Sequence, residues 1–171
     1  EYLKLDDASD LSVSDIRIRA LQQANRWGGL DLVVVDHTGY IRSEERHGEN
    51  SAQTEGRKSR ALKQLAKSDL GCVVLLVQQL NRNVEARANR RPMLNDLRQT
   101  GEHEENADVV LGIYRDSYYI EREGKMVPRE KRNQAEIICL KNRDGPTGTK
   151  FIYYDPRLSR FGEWTGQEAM A

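Results

Sequence analysis

Leu32-Val33-Val34-Val35-Asp36 decides the fold. Its four apolar residues run on without alternating with polar ones, which predicts a strand covered on both faces, as in a parallel sheet. Two further runs repeat the pattern. Residues 72–77 end in Gln78-Gln79, and Val109-Val110-Leu111-Gly112-Ile113-Tyr114 ends in Arg115-Asp116. Helical patterns lie between them. Ile16, Ala20, Ala24 and Trp27 share one helix face, Ser12 and Asp15 have capping-box spacing, and Gly28-Gly29 supplies the stop. Ala61, Leu62, Leu65 and Ala66 form a second stripe, with Gly71 after it. Alternating strands and helices predict an α/β layered fold around a mostly parallel sheet, with helices on both faces.

The C-terminal third changes character. Residues 135–141 and 150–154 are strand-like and flank Asp144-Gly145-Pro146-Thr147-Gly148, which predicts an antiparallel hairpin. Residues 161–164 predict one last short strand, and the polar stretches 43–56 and 121–134 predict loops. No internal repeat interrupts the chain.

Composition narrows the functional classes. The 171 residues carry 27 Lys+Arg and 27 Asp+Glu, so the surface is charged throughout yet neutral in sum. Such a balance creates no global field for phosphate and leaves only local basic patches. The length suits one domain or part of one. No apolar run approaches the roughly 18 residues of a membrane helix. The opening Glu-Tyr-Leu-Lys-Leu has neither an initiator Met nor signal-peptide character, which predicts that Glu1 is not the natural start. Cys72 and Cys139 sit inside apolar runs and read as small buried hydrophobes, not as a disulfide, in keeping with a cytoplasmic protein.

Four stretches carry chemistry. Asp36 ends a buried strand, where open α/β sheets bind ligands and where P-loop ATPases place a magnesium-holding acid. The same pattern also marks an ordinary strand end. Gln78-Gln79-Leu80-Asn81-Arg82 follows the next strand, and an amide there can sense a γ-phosphate or orient water, because it both donates and accepts. Residues 82–101 hold Arg82, Arg87, Arg90, Arg91 and Arg98 against Glu85 and Asp96, with no aromatic residue. This basic segment suits phosphate contact more than base stacking. Arg87, Arg90 and Arg91 read individually as members of a solvated charged loop. Lys141-Asn142-Arg143-Asp144-Gly145-Pro146 places two cations at a hairpin tip, where they suit either a basic turn or a finger reaching a phosphate in a neighbouring subunit.

In this order the four stretches resemble the C-terminal ATPase domain of DnaB-type replicative helicases, a RecA-like P-loop motor. The resemblance runs from Tyr2 through Phe161. It is carried by Gln79-Leu80-Asn81-Arg82, Arg91-Pro92 with Asp96-Leu97-Arg98-Gln99-Thr100-Gly101, Glu104 with Asn106-Ala107-Asp108, and residues 141–149. It implies that Asp36 is the Walker B acid and holds Mg²⁺, and that Gln79 senses the γ-phosphate. It also implies that Lys141 and Arg143 reach the adjacent subunit's ATP, and that Arg98, Gln99 and Gly101 hold single-stranded DNA. The expected parent is a cytoplasmic hexameric ring that hydrolyses ATP, translocates on one strand and works with a helicase loader and primase. Two alternatives are an ATPase-inactive ring module that still binds single-stranded DNA, and another RecA-like ATPase such as a recombinase.

Departures from the family are specific. His37-Thr38-Gly39-Tyr40 stands where the family has Tyr-Leu-Gln-Leu, Gln78 where it has serine, and Gln99 where it has glutamate. No Gly-x-x-x-x-Gly-Lys-[Ser/Thr] occurs, nor the strand bearing the family's catalytic glutamate. Residues 1–171 are therefore expected to be the C-terminal portion of one RecA-like motor domain, incomplete on its N-terminal side and inactive by itself.

Overall fold

The computed structural model describes residues 2–43, 48 and 50–165, with backbone alone at 51, 52 and 98–103. Two compact units emerge, Glu1–Asn81 with Leu97–Ala107, and Arg82–Asp96 with Asp108–Ala171.

The first unit contains α1 (Val13–Trp27), β1 (Leu32–Val35), α2 (Ser51–Gln64), β2 (Val73–Leu76) and α3 (Gly101–Asn106). The expected capping box opens α1. The Asp15 N–H donates to Ser12 Oγ at 3.1 Å, and the Ser12 N–H donates to Asp15 Oδ2 at 2.9 Å. The helix closes at Gly28, whose φ of 78° favours glycine. β1 and β2 pair in parallel, with Val33 opposite Val74 and Val35 opposite Leu76. Ile41, Leu62 and Leu65 form the buried core, joined by Val13, Ile16, Val35, Leu70 and Leu76. This core covers one face of the strand pair. The other face, carrying Leu32, Val34, Val73 and Leu75, remains 48–62% exposed. Cover on both faces, expected from the unbroken apolar runs, is therefore not provided by the described residues.

The expected loop 43–56 is corrected at its end, because α2 begins at Ser51. Asn50 and Gln53 form a second reciprocal capping box, with both bonds at 2.9 Å, and this fixes the helix start well ahead of its apolar stripe at Ala61. A π-helical turn, Leu65–Leu70, carries the chain on to Gly71.

The second unit contains β3 (Val109–Tyr114), α4 (Asp116–Arg122), β4 (Gln134–Asn142), β5 (Gly148–Asp155) and β6 (Arg160–Glu163). These strands form one antiparallel sheet in the order β3-β4-β5-β6. The hairpin and the last short strand match the sequence expectation. The placement of 109–114 in the parallel sheet does not: β3 pairs antiparallel with β4, with a bulge between Val110 and Leu111. An unbroken apolar run does not report the direction of the partner strand, and here Val109, Leu111 and Ile113 stay 50–64% exposed, so cover on both faces is not provided by the described residues either. The expected loop 121–134 is corrected at both ends, since α4 (Asp116–Arg122) runs into it and β4 begins at Gln134. The N-terminus of α4 has no side-chain cap, which removes the usual sequence signal.

Both cysteines are free, half-buried thiols, and burial pushes the Cys72 thiol up from its ordinary pKa. Among the described residues no helix is long and apolar enough to cross a membrane.

Candidate functional site

Asp36 and Gln79 leave the same end of two adjacent parallel strands. The ladder continues past both strands, with the Val77 N–H donating to the Val35 carbonyl at 2.9 Å and the Thr38 N–H to the Val77 carbonyl at 3.2 Å. Both residues lie at this carboxyl end, where α/β sheets receive ligands. The divergent residues 37–40 form a closed turn. His37 Nδ1 accepts from the Gly39 N–H at 3.1 Å, and its ring lies 4.5 Å from that of Tyr40. Thr38 is buried beneath. The substituted stretch thus keeps Asp36 at the strand end. Among the described residues no group of three or more His, Cys, Asp or Glu side chains could hold a metal by itself. One carboxylate nevertheless fits magnesium, which takes one or two protein carboxylates and completes its octahedron with phosphates and water.

The basic arm 82–96 departs from the solvated-loop reading. Arg87 donates to Asp96 at 2.8 Å and to the Arg91 carbonyl at 3.0 Å, and the buried Asp96 also accepts from the Met93 N–H at 2.7 Å. Arg90 pairs with Glu123 at 2.6 Å and lies over the Tyr119 ring. Arg91 grips Glu136 through two bonds, of 2.8 and 2.6 Å, and lies 4.9 Å from the centre of the Tyr114 ring. Arg122 reaches back to Glu85 at 3.0 Å. Pro92 sits against Gly112, where an added Cβ would lie only 2.8 Å from the Pro92 Cβ. Arg87 therefore closes the arm on itself, while Arg90 and Arg91 fasten it to the α4 end and to β3 and β4. Sequence spacing gives no sign of this, because Glu123 and Glu136 lie 33 and 45 residues from their partners.

Beneath Arg91 the Tyr114 hydroxyl donates to Asp116 at 2.7 Å, and Lys131 reaches the same carboxylate at 2.6 Å. Burial, then the bond to Asp116, pushes the Tyr114 hydroxyl far above its ordinary pKa. Burial alone would raise Asp116, but the bonds from Lys131 and Tyr114 hold it below the usual carboxylate value.

Arg98 and Gln99 belong to the 3₁₀ segment Leu94–Thr100, and Gly101 opens α3. Their side chains lie outside the described residues. At the other end of α3, Asn106 donates to Ser59 Oγ of α2 at 3.2 Å. Lys141 is the penultimate residue of β4, opposite Val110. Arg143 follows β4 directly. Its N–H donates to the Asp108 carbonyl at 2.9 Å, and its guanidinium lies 3.3 Å from the Asp108 carboxylate. Asp36 and Gln79 thus both follow the carboxyl ends of the paired strands of the first unit, and Lys141 and Arg143 lie at the end of β4 in the second.

Residues 1–163 match the DnaB-like helicase C-terminal domain family. The chain belongs to that family. It is 38% identical to the replicative DNA helicase DnaB of Rickettsia prowazekii over 173 aligned residues, covering 92% of this chain and 34% of the relative. It is 36% identical to DnaB of Geobacillus stearothermophilus, covering 92% of this chain and 33% of that protein. Among solved structures it matches an ATPase domain, with a TM-score of 0.80 and 30% identity, over 91% of this chain and 52% of that one. It also matches a DnaB-like replicative helicase studied with its interactions with primase, with a TM-score of 0.82 and 31% identity, over 93% of this chain and 37% of the other. The DnaB-like chain thus has the expected RecA-like α/β fold and spans about a third of the length of its curated relatives.

Proposed function

We propose that this chain is part of the motor of a replicative DNA helicase that hydrolyses ATP to move along single-stranded DNA. The observation that carries the reading is that Asp36 directly follows β1 and Gln79 follows β2 by three residues, at the carboxyl ends of two paired parallel strands. Asp36 would hold magnesium jointly with the ATP phosphates, and bound Mg²⁺ would supply charge neutralisation on the β- and γ-oxygens. Gln79 offers an amide that can donate to a phosphate oxygen or accept from the attacking water. Lys141 and Arg143 carry the positive charge that a transferring phosphoryl group needs, delivered from a neighbouring subunit of a homo-hexameric ring. Arg98, Gln99 and Gly101 would hold the DNA backbone, in a segment that both begins and ends at fastened points of the fold.

Residues 1–171 would form part of one RecA-like motor domain. The exposed apolar face of β1 and β2 supports this, because Leu32, Val34, Val73 and Leu75 form a surface suited to further sheet-packing elements of the same domain. The likeness to replicative DnaB proteins, one of them studied with its interactions with primase, supports reading the parent as a cytoplasmic ring that works with primase and a loader.

The test is turnover and nucleotide binding in the full-length parent carrying Arg143→Ala. ATP affinity should hold while kcat falls by about 10³–10⁵, the usual worth of an arginine finger. Normal turnover by this variant would contradict the assignment.

A further inference from the structure

The turn that follows Asp36 is fastened on both sides and leaves one large side chain outside. The Thr38 N–H donates to the Val77 carbonyl at 3.2 Å, and Thr38 itself is buried. Ile41 belongs to the core, and its carbonyl accepts from the buried Lys58 ammonium at 2.8 Å. The Arg42 N–H donates to the Leu11 carbonyl at 2.8 Å. Between these ties the His37 ring lies against the backbone of Gly39. Its Nδ1 accepts from the Gly39 N–H, and a Cβ added at Gly39 would meet His37 Cε1 at 2.7 Å and Nδ1 at 3.0 Å. The Tyr40 N–H donates to the His37 carbonyl at 3.0 Å, and the two rings lie 4.5 Å apart, tilted by 43°. Tyr40 nevertheless remains 72% exposed. The imidazole backs the phenol ring, and most of the tyrosine stays open to solvent.

We propose that Tyr40, backed by His37, is a stacking platform for a nucleobase. This rests on the helicase reading above and adds a base contact to a site read so far through phosphate and backbone chemistry. Every base offers a π-face, so one exposed ring accepts any of them without reading sequence. Three features favour a base over a packing role in a dry core. The turn begins where β1 ends, at the carboxyl edge of the parallel pair, which is where α/β sheets receive ligands. The ring ends in a hydroxyl, which suits a site that is apolar at one end and wet at the other. The ties on Thr38, Ile41 and Arg42 fix the backbone in advance, so little ordering entropy opposes the contact. His37 acts through Tyr40 and is a positioning residue, because its ring limits where the phenol can turn. Two bases could occupy the platform, one from the bound single strand and one from the adenine of ATP. Their chemistry is the same, and the experiment separates them. A residue that touches only phosphate does not distinguish a base from an empty sugar, whereas a stacking ring does.

The experiment compares ligands with and without bases in the full-length parent. One arm titrates fluorescent oligo(dT) and an abasic oligonucleotide of equal length, each with a saturating non-hydrolysable ATP analogue. The other arm measures the affinities of ATP and of tripolyphosphate without DNA. In Tyr40→Ala the affinity for oligo(dT) should fall by about 5- to 150-fold, the usual worth of one stacked base, while abasic binding stays as in the wild type. The same selective loss for ATP over tripolyphosphate would assign the platform to adenine instead. Tyr40→Phe keeps the π-face and should bind like the wild type. Gly39→Ala displaces the His37 ring and should lower the same base-to-abasic ratio, by less than Tyr40→Ala does. A purely structural role for Tyr40 weakens base-bearing and base-free ligands alike, and that outcome overturns the proposal. If the wild-type parent binds no single strand, or Arg143→Ala turns over normally, the helicase reading itself fails and this inference falls with it. A wild type that binds both DNA and ATP, with Tyr40→Ala unaltered, removes this inference alone.

Discussion

Gly112→Ala tests whether the arm 82–96 is seated on β3 as described. A methyl group at this position would stand 2.8 Å from Pro92 Cβ, 3.1 Å from Pro92 Cγ and 3.4 Å from Leu140 Cδ1. The first of these neighbours belongs to a ring that cannot swing away, so the arm or the strand must move. Inserting one carbon into a packed site costs about 1–3 kcal/mol. Replacing glycine returns about 0.5–1 kcal/mol by restricting the unfolded chain. The net expectation is a destabilisation of about 1–2 kcal/mol. The assay is hydrogen exchange at the Met93 and Asp96 amides, which bond to the Asp96 carboxylate and the Met93 carbonyl. Protection there should fall roughly tenfold for each 1.4 kcal/mol, while the amides of β5 and β6 change less. Pro92→Gly removes both crowding carbons, so the double variant should be destabilised by less than the sum of the singles, by about 0.5 kcal/mol or more. Unchanged exchange in Gly112→Ala would refute the close seating of Pro92.

Two further outcomes follow from the same geometry. Arg98→Ala in the parent should weaken single-stranded DNA binding equally for all sequences and make the salt dependence shallower by about 0.7 for each phosphate no longer neutralised, read by titration at several salt concentrations; a sequence-selective weakening would contradict a backbone role. Tyr114→Phe should flatten the alkaline limb of stability against pH. The folded value of Tyr114 lies above the unfolded value of 10.0, so its contribution is complete below pH 10 and disappears as pH rises towards the folded value. Denaturation midpoints across that window should separate wild type from variant, and identical slopes would contradict the buried Tyr114–Asp116 bond.

Local sequence carries some of these features and cannot carry others. Ser12 with Asp15 announces the start of α1, and the strand ends after Val35 and near Val77 place Asp36 and Gln79 at one edge of a parallel pair. The hairpin is legible because glycine and proline punctuate two β-rich runs. β3 is misleading because an apolar run looks the same whichever direction its partner takes, and the partner, β4, begins 20 residues after β3 ends. α4 escapes because its N-terminus lacks a cap and its middle, Ser117-Tyr118-Tyr119-Ile120, reads equally well as strand. The arginines of the arm show the widest gap between sequence and fold. A cluster of cations suggests an external anion until the fold delivers Glu136, Glu123 and Asp96 to them. The pairing of Asp108 with Arg143 is invisible for the same reason, since it joins two motifs that the sequence presents separately.

The central claim is that Asp36 of one subunit and Arg143 of its neighbour complete a single ATP site. It is tested most directly by mixing two inactive parents, Asp36→Ala and Arg143→Ala, under conditions of subunit exchange. In a randomly mixed ring of repeating interfaces, roughly a quarter of the sites would pair an intact Asp36 with an intact Arg143 from the next subunit. The account predicts that DNA-stimulated ATP hydrolysis reappears on mixing, towards that fraction of wild type. A mixture that exchanges subunits yet stays as inactive as its components would contradict it.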